Sequence, residues 1–479
     1  MPKLIYAIVG YLFISQNALL FAQSPIAEII WGNTDVTEQA LATRQAPDGS
    51  LYVAGMNASG SIGNYDITLT KLSSTGEILW SQYYGTPNND YCADMEMDEQ
   101  GNLYLVGTTE NSLFDTDGII IKVDANGNLL WQTNTPPSAV IESLSGVCLA
   151  PDGSIAMIGF KNDLNNANDC YVVKMDAMGN FLWEHTYGGD GNDVGYKIRY
   201  TPDGNYVFTA DSDSFGRGTI DIYVVKIDTA GELLWEVVAG DDDYANGSKN
   251  IIVTNTGDYL ISGESVVSSI AAFDLTLLKV SQAGGLLWYR QWGTPSSTEA
   301  GFGIAQLSDG SFVISGYSNA PDPNEPINGL LLHIDSLGNE LGAQYFGNDE
   351  IDLLYHILPD NNGNYWLTGF QNQAGNGQYY VIHSPLPYYT GQTTNHITEK
   401  LSITAHYQQQ QLLIKPSQAQ TASLQLYNTQ GNVVWSLPSA HYEPISYQFM
   451  LPSLPTATYF LSFTTTKQAY TMPIFVHTP

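Results

Sequence analysis

Carboxylates dominate the residues of this chain that could do chemistry. Asp66, Asp117, Asp169, Asp221 and Asp274 each stand five residues before a lysine (Lys71, Lys122, Lys174, Lys226, Lys279), and Asn328 with His333 and Gln378 with His383 fill the same places. A second series, Gly-x4-Asp, ends at Asp90, Asp193 and Asp352, and Asp115, Asp190, Asp211, Asp213 and Glu350 lie close by. Hard oxygen donors at this density could hold Ca2+, and the sharpest candidate is GGDGNDVGY at 188–196, with Asp190 and Asp193 as ligands. The alternative is turn chemistry, in which a carboxylate accepts backbone N–H groups at a loop end and recurs because the unit recurs. Other chemistries find no foothold. DDDYANG at 241–247 is not a complete EF-hand loop, no H-E-x-x-H or vicinal cysteine pair exists, and GYSNA at 316–320 is not a nucleophile elbow. A pair of carboxylates for glycoside hydrolysis is defined by separation in space, and the sequence nominates no pair.

These residues must be positioned by a repeat. SSTGEILW, DANGNLLW, DAMGNFLW, DTAGELLW and SQAGGLLW end at Trp80, Trp131, Trp183, Trp235 and Trp288, DSLGNELG puts Gly342 in the same place, and Trp31 lies 49 residues before Trp80. A glycine marker keeps step. Gly55, Gly107, Gly159, Gly263, Gly316 and Gly369, with Ala210 as the exception, follow turns such as PDG and SDG by six residues. Between the markers run short β-branched or aromatic stretches such as IIIKVD and YVVKID, with no sustained helical period. Four strands fit in each unit, which for the second are roughly 91–97, 102–108, 117–124 and 128–134. Such units are blades of a β-propeller. Residues 26–32 supply a fourth strand with no first three, and 352–384 supply three strands with no fourth. The expectation is an all-β chain: a seven-bladed β-propeller over 26–390, its last blade closed by the N-terminal strand, followed by a small β-sandwich of about seven strands over 396–479.

Composition narrows the partners. With 16 Lys+Arg against 48 Asp+Glu the net charge is -32, so a nucleic-acid partner is not expected. Hydrophobic residues at 43% and aromatics at 12% support a large core and argue against disorder. Residues 1–23, with Lys3, the apolar run LIYAIVGYLFI and the exit ALLFAQ, read as a signal peptide. Export to the medium or the outer cell surface follows, with no transmembrane span in the mature chain. The cysteines, Cys92, Cys148 and Cys170, are odd in number and indicate buried small hydrophobes rather than a disulfide framework.

The Trp-ended turn, Gly-x4-Asp, PDG-x5-Gly and Asp-x4-Lys together resemble the propeller repeats common in secreted proteins of the Bacteroidetes. DANGNLLW also resembles the tryptophan-docking motif of pyrroloquinoline-quinone dehydrogenases and their non-enzymatic relatives, which implies that each Trp packs between adjacent blades. The D-x-x-G-x-x-x-W spacing differs from the sialidase Asp-box and is read as blade architecture. GGDGNDVGY resembles a single unit of the calcium-binding nonapeptide repeat. LQLYNTQGNVVW followed by LPSLPTATYFLSF is similar to the C-terminal sorting domain of type IX secretion cargo, through Leu426, Tyr427, Gly431, Val433, Val434, Leu454, Pro455 and Tyr459. Ala457 stands where that family usually has Gly, and VHTP replaces its basic end.

Two functions are compatible with these features. The first is an exported, non-catalytic binding or structural propeller that docks a glycan or protein on an acidic loop face, with the C-terminal domain serving secretion or attachment. The second is a glycoside hydrolase or polysaccharide lyase using loop carboxylates, with aromatic residues such as Phe215, Tyr244 and Phe273 nearby. Repetition without singular residues favours the first.

Overall fold

The computed structural model describes residues 25–385, apart from short loop stretches at 34, 59–61, 113–114, 139, 163–166, 216–218, 241–244, 267–271, 294–296, 320–325, 348–349, 361 and 374, together with the strands between 403 and 476. Residues 1–23, read from the sequence as a signal peptide, lie outside the described residues.

Seven antiparallel four-stranded sheets follow one another. Blade 2 shows the pattern, with strands Asp90–Met97, Leu103–Ser112, Asp115–Val123 and Leu129–Asn134. Blade 7 combines Asp352–Pro359, Asn364–Gln373 and Asn376–Pro385 with the N-terminal strand Ala27–Trp31, in a register that sets Ala27 against His383 and Trp31 against Tyr379; this corrects the expectation that Trp31 belongs to the Trp series, since Ala27 takes the place of Trp80 and Trp31 that of Tyr84. The first strands of successive blades touch all the way round, including blade 7 against blade 1, so the sheets close into a ring. Thr43 donates to Thr368 across that closure at 3.0 Å, and the Trp31 and Tyr379 rings stack with centroids 5.0 Å apart. Closure leaves no first or last blade with a bare long edge.

The repeated residues hold this architecture. The second-strand glycine is dictated by a bulge in the neighbouring inner strand: a Cβ on Gly107 would lie 1.8 Å from the Tyr91 carbonyl oxygen, and Gly55, Gly159, Gly263, Gly316 and Gly369 face the same obstacle. Ala210 takes this place in blade 4, and nothing in the structure explains why a methyl group is accepted there. Each docking Trp covers the turn of the next blade. The ring of Trp131 lies over Gly179, where a Cβ would stand 3.3 Å away, and Trp183 Nε1 donates to the Thr229 carbonyl at 3.1 Å. The hydrophobic core therefore lies between blades. One cluster joins Ala54, Leu69 and Trp80 of blade 1 to Met95, Leu105 and Ile121 of blade 2. Cys92, Cys148 and Cys170 are free and buried within these layers.

The strands after residue 402 form two sheets. Ile403–Gln408, Gln411–Pro416 and Tyr447–Met450 make one, and Gln420–Tyr427, Val433–Tyr442, Ala457–Thr465 and Ala469–Val476 make the other.

Candidate functional site

Two ends of the ring differ in construction. The tight Asp-x-x-Gly and Pro-Asp-Gly turns lie at one end; Asp98 accepts from the N–H groups of Gln100 at 3.0 Å and Asn102 at 2.8 Å, and Gly101 takes a φ of 82° that L side chains rarely adopt. The longer connections within blades and the crossings between blades share the other end, where the N–H of Asp90 donates to the Tyr65 carbonyl at 2.9 Å.

The repeated carboxylates gather at this second end, but inside it. Glu38, Asp66, Asp90, Glu142, Asp193, Asp221, Glu299 and Asp352 are all buried. Asp66 accepts from the N–H groups of Ile62 and Gly63 at 3.0 and 2.8 Å, and Asp90 from that of Thr86 at 2.6 Å. The sequence led us to expect an acidic loop face built from these groups. The structure corrects that expectation, because loop N–H groups need acceptors and the carboxylates turn inward to supply them. Burial raises several of their pKa values; Glu299 reaches about 7, through burial first and repulsion from Asp274 as a smaller contribution.

Asp190 and Asp193 are separated by the same logic. Asp193 is fully buried and accepts from the Gly189 N–H at 2.9 Å and the Ser214 hydroxyl at 2.6 Å, while Asp190 is exposed. Among the described residues no three His, Cys, Asp or Glu side chains gather in a way that could hold a metal ion. Phe215 packs on Tyr223 with centroids 5.1 Å apart, Phe273 begins the strand Phe273–Val280, and Tyr244 lies outside the described residues.

The channel at the ring's centre holds what the repeat does not contain. All seven inner strands carry a bulge at the same position, and the inserted residues are Leu41, Ala93, Ser145, Tyr196, Lys249, Phe302 and Tyr355. Bulges re-aim side chains, and here the aromatic ones meet from blade to blade. Phe302 of blade 6 and Tyr355 of blade 7 pack edge to face at 5.2 Å, with Tyr317 and Phe370 beside them at 5.8 and 6.0 Å, forming one aromatic wall. Across the ring, blades 2 and 3 contribute only Ala93 and Ser145 at this level. On the flank, Lys249 lies 5.3 Å from the Tyr196 ring centroid and pairs with Glu264 at 3.1 Å, while the Tyr317 hydroxyl donates to Glu264 at 3.3 Å. Asp211 accepts from the Ser248 hydroxyl at 3.1 Å; burial carries its pKa to about 6 against the opposing pull of Lys249.

One layer further from the loops lies a charged cluster. Arg44 forks onto both oxygens of Glu96 at 2.9 Å each, and its Nη1 stands 3.3 Å from His356 Nε2. Lys197 of blade 4 reaches Asp94 of blade 2 at 2.9 Å, past Gly146 of blade 3, and the Val147 N–H donates to the same Asp94 oxygen at 3.2 Å. Burial pushes the Asp94 pKa up, but Lys197, Arg44 and Arg199 outweigh it and leave the carboxyl at about 2. Burial, reinforced by Arg44, holds the His356 imidazole neutral, well below its ordinary range. Arg199 donates to the Ile198 carbonyl at 2.9 Å and to Asn250 Oδ1 at 3.1 Å.

None of these cluster residues was singled out from the sequence. The signal was available at the fifth inner-strand position, where aligned blades read Ala42, Asp94, Gly146, Lys197, Asn250, Gly303 and His356. Cavities elsewhere offer less chemistry: one of about 210 Å³ at the seam of blades 7 and 1 has Glu38 as its sole acid, and a groove of about 340 Å³ between blades 1 and 2 has none.

Comparison with known proteins agrees on architecture. Residues 79–115 match the family model SBBP, a beta-propeller repeat. No curated protein matches the chain. Among solved structures, a catalytically inactive virginiamycin B lyase from Staphylococcus aureus is 13% identical with a TM-score of 0.49, the match covering 74% of this chain and 99% of that one. A PL25 ulvan lyase is 11% identical with a TM-score of 0.49, covering 75% and 97%, and the BP39L lectin from Burkholderia pseudomallei is 9% identical with a TM-score of 0.46, covering 74% and 100%. Two lyases and a lectin have different activities, and none lends its chemistry to this chain.

Proposed function

We propose that this protein is an exported, non-catalytic binding propeller that takes a glycan at the loop-bearing mouth of its central channel. The observation that carries this reading is the aromatic wall of Phe302, Tyr317, Tyr355 and Phe370, which faces small side chains and is flanked by Lys249, Glu264 and Asp211. Flat apolar surfaces with a few fixed polar groups suit a sugar ring, whose faces are apolar and whose edge carries hydroxyls. The carboxylates of the layer beneath are tied to Arg44 and Lys197, as a scaffold requires. Residues 1–23 would direct export, and residues 396–479, read from the sequence as a β-sandwich of the sorting-domain type, would serve secretion or attachment at the outer cell surface. That assignment is checked by following a tagged chain with and without residues 396–479; loss of export or of surface retention in the shortened chain supports it, and unchanged localisation opposes it.

A second reading has one observation in its favour. Asp211, with its raised pKa, and Glu264, ion-paired to Lys249, occupy an equivalent position that carries a carboxylate only in blades 4 and 5, beside Tyr196 and Lys249, so a hydrolase or lyase could divide acid and base roles between them. A glycan array and a polysaccharide turnover assay on the mature protein separate the two. Retention without turnover supports the binding module; sustained product release abolished in both Asp211→Asn and Glu264→Gln supports the enzyme.

A further inference from the structure

The seam where the ring closes is packed differently from the other junctions between blades. Opposite Ser81 in the outer strand of blade 1 stands Thr70, whereas the equivalent third-strand residues are Ile121, Val173, Val225, Leu278, Leu332 and Ile382, aliphatic in every other blade. Hydroxyls bond one another here instead: Thr70 with Ser81 at 2.9 Å, and Thr68 with Tyr379 of blade 7 at 2.8 Å. The cavity of about 210 Å³ lies against these groups. With a single acid it cannot divide acid and base roles, but it can bind.

Its lining joins aromatic rings, hydroxyls and one charge. The stacked rings of Trp31 and Tyr379 form the wall on blade 7, while Tyr83, 38% exposed, stands with the exposed Ser81 and Asn33 where solvent enters. Glu38 is the only charged residue of the lining and is 2% exposed. It accepts from the Asn33 N–H at 2.7 Å and from the Asn57 side-chain amide, both neutral donors. Among the described residues no lysine, arginine or histidine forms an ion pair with Glu38, and burial raises its pKa against the smaller opposing effect of the Asn33 bond. A buried carboxylate that faces a cavity without a counter-charge is incomplete.

We propose that this cavity binds a primary ammonium group. Such a group carries one positive charge and three N–H donors: Glu38 supplies the counter-charge, the Thr70 and Ser81 hydroxyls accept, and the rings of Trp31 and Tyr83 attract the cation. A neutral sugar would leave Glu38 uncompensated, and an anion would be repelled by Glu38 and by a chain of net charge -32. The ammonium can belong to an amino sugar or to an alkyl chain such as a lysine side chain. The site is independent of the glycan reading, because it lies between blades and shares no residue with the aromatic wall of the channel.

The test titrates glucosamine hydrochloride and n-butylammonium chloride calorimetrically into the mature protein, with glucose and sodium chloride as controls. An ammonium probe should bind where glucose and sodium do not; tighter binding of glucosamine identifies the amino sugar, and tighter binding of n-butylammonium the alkyl chain. Glu38→Gln, which can still accept from Asn33, should weaken binding at least tenfold. Thr70→Ile restores the residue type of the other blades, fills the cavity and should abolish binding without lowering the melting temperature. Leu287→Ser, on the outer strand of blade 5, should leave binding unchanged. Failure of both ammonium probes to bind overturns the proposal, as does glucose binding as tightly as glucosamine, or binding undiminished in Thr70→Ile. Should Glu38→Gln not fold, Thr70→Ile decides alone.

Discussion

The blade walls and the central channel are built from the same seven strands' worth of backbone and obey opposite rules. In the walls the residue type recurs and its partners are loops and the neighbouring blade: Trp183 bonds the Thr229 carbonyl, Trp235 bonds the Gln282 carbonyl, Asp66 binds the loop within its own blade, and Asp90 binds the loop that joins blades 1 and 2. In the channel the backbone repeats, bulge for bulge, while the side chains do not. Lysine, phenylalanine and tyrosine occupy the inserted position in blades 5, 6 and 7, and alanine and serine occupy it in blades 2 and 3. Repetition marks what holds the ring together, and departures from it mark where a single ligand can be distinguished. This inverts the weight that the sequence places on the acidic series, whose members are structural because they recur.

The contrast can be broken by mutation. Lys197→Met should be the most damaging change, because it leaves Asp94, 2% exposed, without its main counter-charge; a loss of about 3 kcal/mol is expected in denaturant unfolding. Its pH dependence has a defined sign. The folded Asp94 pKa of about 2 lies below the ordinary 3.8, so the stability this group contributes is full above about pH 4 and is lost as pH falls toward 2. A wild type that loses stability more steeply than Lys197→Met over that interval is the expected result. Next comes the wall. Trp183→Ala removes one interblade dock and should cost about 2 kcal/mol without touching ligand binding.

Glu299 sharpens the comparison in the other direction. Its folded pKa of about 7 exceeds the ordinary 4.5, so the folded chain keeps a proton that the unfolded chain has released, and stability declines as pH climbs from about 4.5 to 7. Glu299→Gln, which imitates the protonated acid, should remove that decline and be the more stable protein at pH 8, by roughly 2 kcal/mol in melting experiments. The smallest effect belongs to the rim. Leu129 and Leu130 are about half exposed on an outer strand, and Leu129→Ser should change stability by less than about 0.5 kcal/mol.

Much of the fold was legible before the structure, for a physical reason. A closed repeat must solve the same packing problem seven times, so its solutions recur in the sequence: the docking Trp in five units, with Gly342 and Ala27 in its place in the other two, and the second-strand Gly in six, with Ala210 in the seventh. Even the closure of blade 7 could be read from an orphan strand at 26–32 and a missing one after 384. The site was not legible by that route. Arg44, Asp94, Lys197 and His356 come from blades 1, 2, 4 and 7, stand about fifty or more residues apart, and have no repeated motif around them. The direction of the acidic side chains was also hidden, since spacing places a carboxylate at a loop end and only packing decides whether it points to solvent or to the N–H groups behind it.

Glycan retention compared between two variants tests the central claim most directly. The wild type, Phe302→Ala with Tyr355→Ala, and Leu129→Ser with Leu130→Ser are applied to the same array, each checked for an unchanged melting transition. The account predicts that the channel pair loses tenfold or more of the retention while the rim pair keeps it. Retention undiminished in the channel pair, or lost in the rim pair, would contradict the assignment of the ligand to the unrepeated centre of the ring.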